Sequence, residues 1–451
     1  MEKCARANDK SVRLSGVNMK RIVTILAVVV LSLAFGLCLF ACDEKADDSP
    51  TIVFLGDSIA EALIGPSPVS ERDNYGYYAL IGRVNGFNYF NHSMSGHLTS
   101  GNMADKVNGE GLLQIISRES ETATLIQTHI KQADIIHISV LGNNALQFDL
   151  GAMLMEMADI NEGKTGADRW YQACFDGTAK ESELKNRYDD NHTLFEYLHD
   201  GGVNDDDETP IRPMIDFAQD GKTLVYGQNQ GAEDSIFNFP NTYQDIEDIV
   251  ARLRTLNPNA KIIFQKVYNP VVEDTKLITP AYRQALANRG YDTYQKLRVL
   301  AQDILDKLNG MIDEYNDNHQ SEQVYVLDIN KAFNDLAATD TVEVDGKKVI
   351  NLSQESIARR LIFADYTHPS NLGHAIVAAE TQKMLDEWGM GAKDALDKYK
   401  AIKCEQLERM YSNIDSFDVE AAKKAVEDEN SYYGVSLKYF DLIGGIAPST
   451  Y

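Results

Sequence analysis

Thr51-Ile52-Val53-Phe54-Leu55-Gly56-Asp57-Ser58-Ile59 decides how the rest of the chain is read. Five strand-forming residues run without a polar interruption into Gly-Asp-Ser. An unbroken apolar run, rather than an alternating one, fits a strand buried on both faces, as in a parallel sheet covered by helices. The polar triplet at its end falls where open α/β sheets place their ligands, beyond the carboxyl ends of the strands.

Outward from this strand the pattern repeats. Phe87–Phe90, Asp134–Leu141, Ala260–Val267 and Gln323–Asp328 read as four more strands, most of them leading into polar or glycine-containing loops. Helical periodicity predicts Leu112–Ile130, Tyr243–Leu256, Tyr282–Tyr315 and Leu372–Trp388. The alternation predicts one α/β domain over residues 51–388, with five parallel strands between helical layers. Residues 150–241 interrupt a single crossover and read as an insertion, with 19 Asp+Glu against 7 Lys+Arg and ten aromatic residues. Its Asp205-Asp206-Asp207-Glu208 run lacks the order of a calcium loop and reads as a solvated turn. Residues 389–451 form a Lys/Glu-rich helical extension with an apolar end.

The first fifty residues read as an address. Lys20 and Arg21 precede a nearly unbroken apolar run, Ile22 to Ala41, in the charge-then-hydrophobe order of an export signal. The run is also long enough to span a bilayer, so residues 1–41 are either a signal peptide or an uncleaved membrane segment. Leu39-Phe40-Ala41-Cys42 resembles the bacterial lipobox, which implies a lipid on Cys42 and a polar tether over residues 42–50. Either reading predicts an extracytoplasmic, membrane-anchored domain.

Composition removes several functions. A formal charge of −25 over 451 residues argues against nucleic acid as a partner, because phosphate binding needs a basic face. Five cysteines without a C-x-x-C pair suggest neither a disulfide scaffold nor a structural metal; Cys174 and Cys404 stand outside the address, and spacing does not say whether they pair. No Gly-x-Gly-x-x-Gly follows the first strand, and Gly56-Asp57-Ser58-Ile59-Ala60 does not match the Gly-x-Ser-x-Gly elbow. No cofactor is expected.

The chemistry-bearing residues are spread along the chain. Ser58 follows the first strand, where a nearby helix N-terminus would favour developing negative charge. Asp365-Tyr366-Thr367-His368-Pro369 puts a carboxylate and an imidazole on one loop, with the proline keeping His368 out of the helical region until Asn371 begins the next helix. In a serine-hydrolase scheme His368 takes the Ser58 proton and Asp365 fixes its tautomer. Two other strand exits offer oxyanion donors: Asn91-His92-Ser93-Met94-Ser95-Gly96-His97, where Gly96 lets a backbone N–H approach a substrate, and Leu141-Gly142-Asn143-Asn144, where either amide could donate. His97 beside Gly96 is a candidate substrate contact or a polar loop residue. His137 and His374 fall in a predicted strand and helix and take no catalytic role.

Taken together, Gly-Asp-Ser, Asn-x-x-x-Ser-Gly, Gly-x-Asn and Asp-x-x-His-Pro, in this order, resemble the four blocks of the SGNH (GDSL-type) hydrolase family. The resemblance covers Thr51–Asp149 and Thr242–Trp388. It implies a three-layer, flavodoxin-like fold and a metal-free serine esterase. Ser58 would be the nucleophile, His368 the base and Asp365 its partner, with the Ser58 N–H, the Gly96 N–H and the Asn144 side chain forming the oxyanion hole. The family commonly has Asp after the block-three asparagine; this chain has Ala145.

The function expected is hydrolysis of a small-molecule or glycan ester. The acidic, aromatic-rich insertion leaves the chain just after Asn144 and is expected to wall the site, which favours a neutral acetylated glycan over an anionic ester. The alternative is a surface glycan-binding or assembly lipoprotein that kept the fold and lost turnover.

Overall fold

In the computed structural model the described residues are 49–63, 69–100, 110–146, 150–164, 216–217, 224–225, 240–273, 275–336, 341–344, 346–350, 352, 367–411 and 418–428. The export segment with Cys42, most of residues 165–239 with Cys174, and Asp365 lie outside them.

Among the described residues the chain runs β1 (Thr51–Gly56), α1 (Val69–Tyr75), α2 (Tyr77–Asn85), β2 (Asn88–Asn91), α3 (Leu112–Ser117), α4 (Glu121–Gln132), β3 (Ile135–Ser139), α5 (Leu141–Leu146) and α6 (Leu150–Asn161). A short antiparallel pair follows, β4 (Asp216–Phe217) with β5 (Leu224–Val225). Then come α7 (Pro240–Leu256), β6 (Lys261–Gln265), α8 (Pro280–Asn288), α9 (Tyr294–Asn318), β7 (Tyr325–Leu327) and α10 (Ile329–Leu336). The antiparallel pair β8 (Thr341–Val344) and β9 (Lys347–Ile350) precedes α11 (Asn371–Glu387), α12 (Ala395–Tyr411) and α13 (Val419–Glu427).

The main sheet has five strands in the order β2-β1-β3-β6-β7, every pair parallel. Counting only these strands the order is 2-1-3-4-5, the flavodoxin-like winding, which reverses direction between β1 and β3. Alternate residues of each strand face opposite layers. Val53, Leu55, Ile136, Ile138, Ile262 and Phe264 pack with residues of α3, α4 and α6 to α9. Ile52, Phe54, Ile135 and Ile263 pack with residues of α2, α10, α11 and α12. The fold class read from the sequence is the one observed.

Two expected helices are each split by a side-chain cap. Ser120 Oγ accepts the Ala123 N–H and starts α4 afresh after α3. Gly290, at φ +92°, ends the turn after α8, and the Thr293 hydroxyl accepts the Lys296 N–H to begin α9. The third strand stops at Ser139, and block three follows it, as expected, on the helical turn α5. Within the stretch read as an insertion, α6 is core: Met153, Leu154, Met155 and Ala158 are fully buried. The extension also begins as core, with Ala395 and Tyr399 of α12 buried on the second face.

Candidate active site

The site forms at the β1/β3 reversal, and its first requirement is glycine. Gly56 has φ +150°, and a Cβ there would lie 1.9 Å from the Ser139 carbonyl oxygen of β3. Only glycine lets the two strands close this tightly. The Asp57 N–H then donates to that carbonyl at 2.9 Å. The chain turns at once: Glu61 N–H reaches Asp57 O and Leu63 N–H reaches Ser58 O, both at 2.9 Å. With the Ala62 N–H on Ile59 O at 3.1 Å, these bonds make the helical turn after Ser58, ended by Ala62 at φ +61°.

The loop after β2 is tied to that turn. Asn91 Nδ2 donates to Ala60 O at 2.9 Å, while Asn91 Oδ1 accepts the Ser93 N–H at 3.0 Å. Glu61 Oε2 accepts the Ser95 N–H at 2.7 Å and the Ser95 hydroxyl, and Glu61 also pairs with Arg72. Burial alone would raise the Glu61 carboxyl, but Ser95 and Arg72 together hold it below the usual range. Gly96 follows at φ +83°, and its N–H and that of Ser58 donate to no acceptor among the described residues. Both remain available to an oxyanion.

His368 comes from the far end of the chain. Its Nε2 lies 2.9 Å from Ser58 Oγ across 310 residues of sequence. Pro369 and the Ser370 cap, whose hydroxyl accepts the Gly373 N–H at 3.1 Å, start α11 directly behind it. On the near side Tyr268, just past β6, donates its hydroxyl to the carbonyl of Thr367. Asp365, expected to orient the imidazole, lies outside the described residues.

Block three divides its two asparagines. Asn144 Nδ2 donates to Thr99 Oγ1 at 2.7 Å and to Thr242 Oγ1 at 2.9 Å, and its Oδ1 accepts the Thr99 N–H at 3.0 Å. Both amide hydrogens are engaged, so here Asn144, the expected oxyanion donor, ties the β2 loop to the start of α7. Its neighbour Asn143 lines the pocket beside Ser58 and uses one amide hydrogen on His97 O at 3.0 Å. His97 itself is 1% exposed and absent from the pocket wall, so the substrate contact considered for it is not seen. Burial pushes its imidazole pKa down.

The pocket at Ser58 has a volume of about 570 Å³ with its open mouth. Its wall comprises Asp57, Ser58, Ile59, Gly142, Asn143 and Ala145 at the strand exits, Leu150 and Met153 of α6, Val267, Tyr268 and Pro270 after β6, Ala301, Ile304 and Leu305 of α9, and Thr367. Asp57 is buried, and burial pushes its carboxyl up to about 7, partly offset by the Ile59 N–H and the charge of His368. Asp57, Asn143 and Tyr268 received no definite role from the sequence. Tyr268 was discoverable, because it follows the fourth strand of the sheet where ligands are expected.

Residues 171–381 match the family model described as GDSL-like Lipase/Acylhydrolase, a span that takes in His368 but not Ser58. No curated protein sequence matches this chain. Among solved structures it is similar to a carbohydrate acetylesterase from Sinorhizobium meliloti at 8% identity, over 75% of this chain and 100% of the other, with a TM-score of 0.36. An acetyl xylan esterase from the rumen bacterium Butyrivibrio proteoclasticus is similar at 14% identity, over 76% and 65%, with a TM-score of 0.33. A lipase from a goat rumen metagenome is similar at 12% identity, over 74% and 97%, with a TM-score of 0.34. Four blocks in order and a 2-1-3-4-5 parallel sheet agree with the family match over residues 171–381, and the chain resembles the SGNH, or GDSL-like lipase/acylhydrolase, family of ester hydrolases.

Proposed function

We propose that the protein is an extracytoplasmic serine esterase that cleaves carboxylic esters through an acyl-serine intermediate. The observation that carries this reading is the 2.9 Å hydrogen bond between His368 Nε2 and Ser58 Oγ. His368 accepts the serine proton as Oγ attacks the ester carbonyl. The Ser58 and Gly96 N–H groups and the second Asn143 amide hydrogen face the developing oxyanion, each such donor being worth about 3 kcal/mol. The protonated imidazole then gives its proton to the departing alcohol, and the same sequence with water releases the acid. Asp365 holds the imidazole in the required tautomer. Export and lipidation at Cys42 rest on Lys20, Arg21 and the apolar run before Cys42. A glycan as the alcohol component rests on the aromatic residues of the insertion, residues 150–241.

Fluorophosphonate labelling tests the reading. Stoichiometric modification of Ser58, lost in Ser58→Ala, is the expected result. A folded protein that hydrolyses esters with Ser58 unmodified would overturn it.

A further inference from the structure

Gly96, whose N–H is an oxyanion donor, sits in a turn that could face either way, so its direction has to be chosen by a neighbour. We propose that Glu61 is a positioning residue for the reaction: by holding Ser95 it fixes the Ser95–Gly96 peptide with the Gly96 N–H aimed at the oxyanion. The inference rests on the serine-esterase reading and deepens it.

The need comes from the turn itself. The His97 N–H donates to Met94 O at 3.2 Å, so residues 94–97 form a β-turn, and Gly96, its third residue, has the positive φ, +83°, of a type II turn. The central peptide of such a turn, here Ser95–Gly96, can turn over between types I and II while the ends stay in place. Glycine accepts both arrangements. Turning over exchanges the places of the Gly96 N–H and the Ser95 carbonyl, so a donor to the oxyanion becomes an oxygen that repels it.

Glu61 supplies the restraint from the nucleophile's own turn. It follows Ser58 by three residues, and its N–H is bonded to Asp57 O at 2.9 Å, so its backbone is tied to that of the nucleophile. Its Oε2 accepts the Ser95 N–H at 2.7 Å and the Ser95 hydroxyl as well. Two bonds to one oxygen hold the backbone and the side chain of Ser95 together, on the residue whose ψ must change if the peptide turns over. Other bonds stop short of it: the His92 N–H on Phe54 O at 2.9 Å and the Met94 N–H on Gly56 O at 3.0 Å hold the loop only up to Met94. Arg72 of α1 offsets the cost of this carboxylate. A bare negative charge beside the oxyanion donors would oppose the oxyanion, and Arg72 pairs with the other oxygen, Oε1. Glu61 is absent from the pocket wall, so it acts through Ser95.

The test uses the full chain with p-nitrophenyl acetate and its thionoacetate analogue, in which sulfur replaces the carbonyl oxygen. Sulfur accepts hydrogen bonds weakly, so the thionoester draws little from the oxyanion donors while it uses the same Ser58 and His368. The ratio of the two kcat/KM values therefore reads the oxyanion donors. Glu61→Ala should lower kcat for the acetate about thirtyfold with KM nearly constant, less than the roughly hundredfold or more lost with a whole donor. The oxo-to-thiono ratio should fall about tenfold. Glu61→Gln keeps an acceptor for Ser95 and should restore most of that ratio. An unchanged kcat, or an equal loss on both esters, overturns the proposal, because a merely structural residue would slow the two alike. If Glu61→Ala fails to fold, Ser95→Ala removes the hydroxyl bond alone and should lower the ratio about threefold; an unchanged ratio there overturns the proposal equally. Fluorophosphonate labelling of the unsubstituted protein keeps the two readings apart. Absence of label on Ser58 removes the esterase reading, whereas a labelled Ser58 with a ratio that ignores Glu61 removes only the role given to Glu61.

Discussion

The two faces of the sheet are built from different materials. On the α6–α9 side the core is overwhelmingly aliphatic, and the Ser58 pocket opens into it. On the α2–α11 side, directly behind the nucleophile turn, the core contains His137 of β3, His374 of α11 and Tyr77 of α2, all fully buried. The Tyr77 ring lies 5.1 Å from that of His137 and 5.8 Å from that of His374. Burial pushes both imidazoles down to about 3. The first face therefore lines the Ser58 pocket, and the second buries two imidazoles in the core. Ser58 stands on the seam between them.

The largest effect tests the seam. Ser58→Ala should lower ester hydrolysis by about 10⁴-fold or more while leaving the urea midpoint unchanged. A comparable fall in stability would mean that the serine is a structural cap. Next is the buried cation near the aliphatic side. Arg298 of α9 is pushed down to about 9 by burial and donates to Asn269 O at 3.0 Å and Val271 O at 2.9 Å, fixing the loop that carries Tyr268 and Pro270. Arg298→Leu should cost about 2–3 kcal/mol in urea unfolding, because two buried carbonyls lose their donor.

The histidine face should show itself in acid. An imidazole whose folded pKa is depressed stabilises the fold above its ordinary pKa of 6.5, and that stability is lost as pH falls toward the folded value of about 3. His374→Leu should reduce the loss between pH 6.5 and 5 by about 2 kcal/mol, read from urea midpoints at each pH. Asp57 has the opposite sign. Its carboxyl is raised to about 7, so the fold loses stability as pH climbs from about 4 to 7, and Asp57→Asn should flatten that limb. An acid limb unchanged in His374→Leu would break the contrast between the faces.

How much of this was legible follows from the range of the interactions. The five strands could be read within a residue or two, because each is a local apolar run ending at a polar loop. The split helices depend on single caps, Ser120 and Thr293, inside otherwise continuous periodicity. Ser58, Gly96 and His368 could be read as candidates because each lies at a strand exit or the final loop. The asparagine could not be chosen, because its orientation is set by Thr99 and Thr242, 45 and 98 residues away. The same limit hid α6: its buried face answers to α8 and α9, more than a hundred residues later, while its neighbours in sequence are acidic and aromatic.

Tyr268 gives the smallest effect and joins the two faces. Its ring packs with Phe333 at 5.0 Å in the second core and also lines the Ser58 pocket, while its hydroxyl donates to Thr367 O beside His368. Ring and hydroxyl therefore do separable things. Tyr268→Phe keeps the ring, so the pocket keeps its wall. The variant removes one hydrogen bond from the loop that presents the imidazole, worth about 1 kcal/mol. That loss should appear in kcat as about a fivefold fall, with KM nearly constant, because the bond orients the base without touching substrate. If KM shifts along with kcat, the hydroxyl also shapes the pocket. If KM rises and kcat holds, it is the wall and not His368 that the Thr367 bond supports.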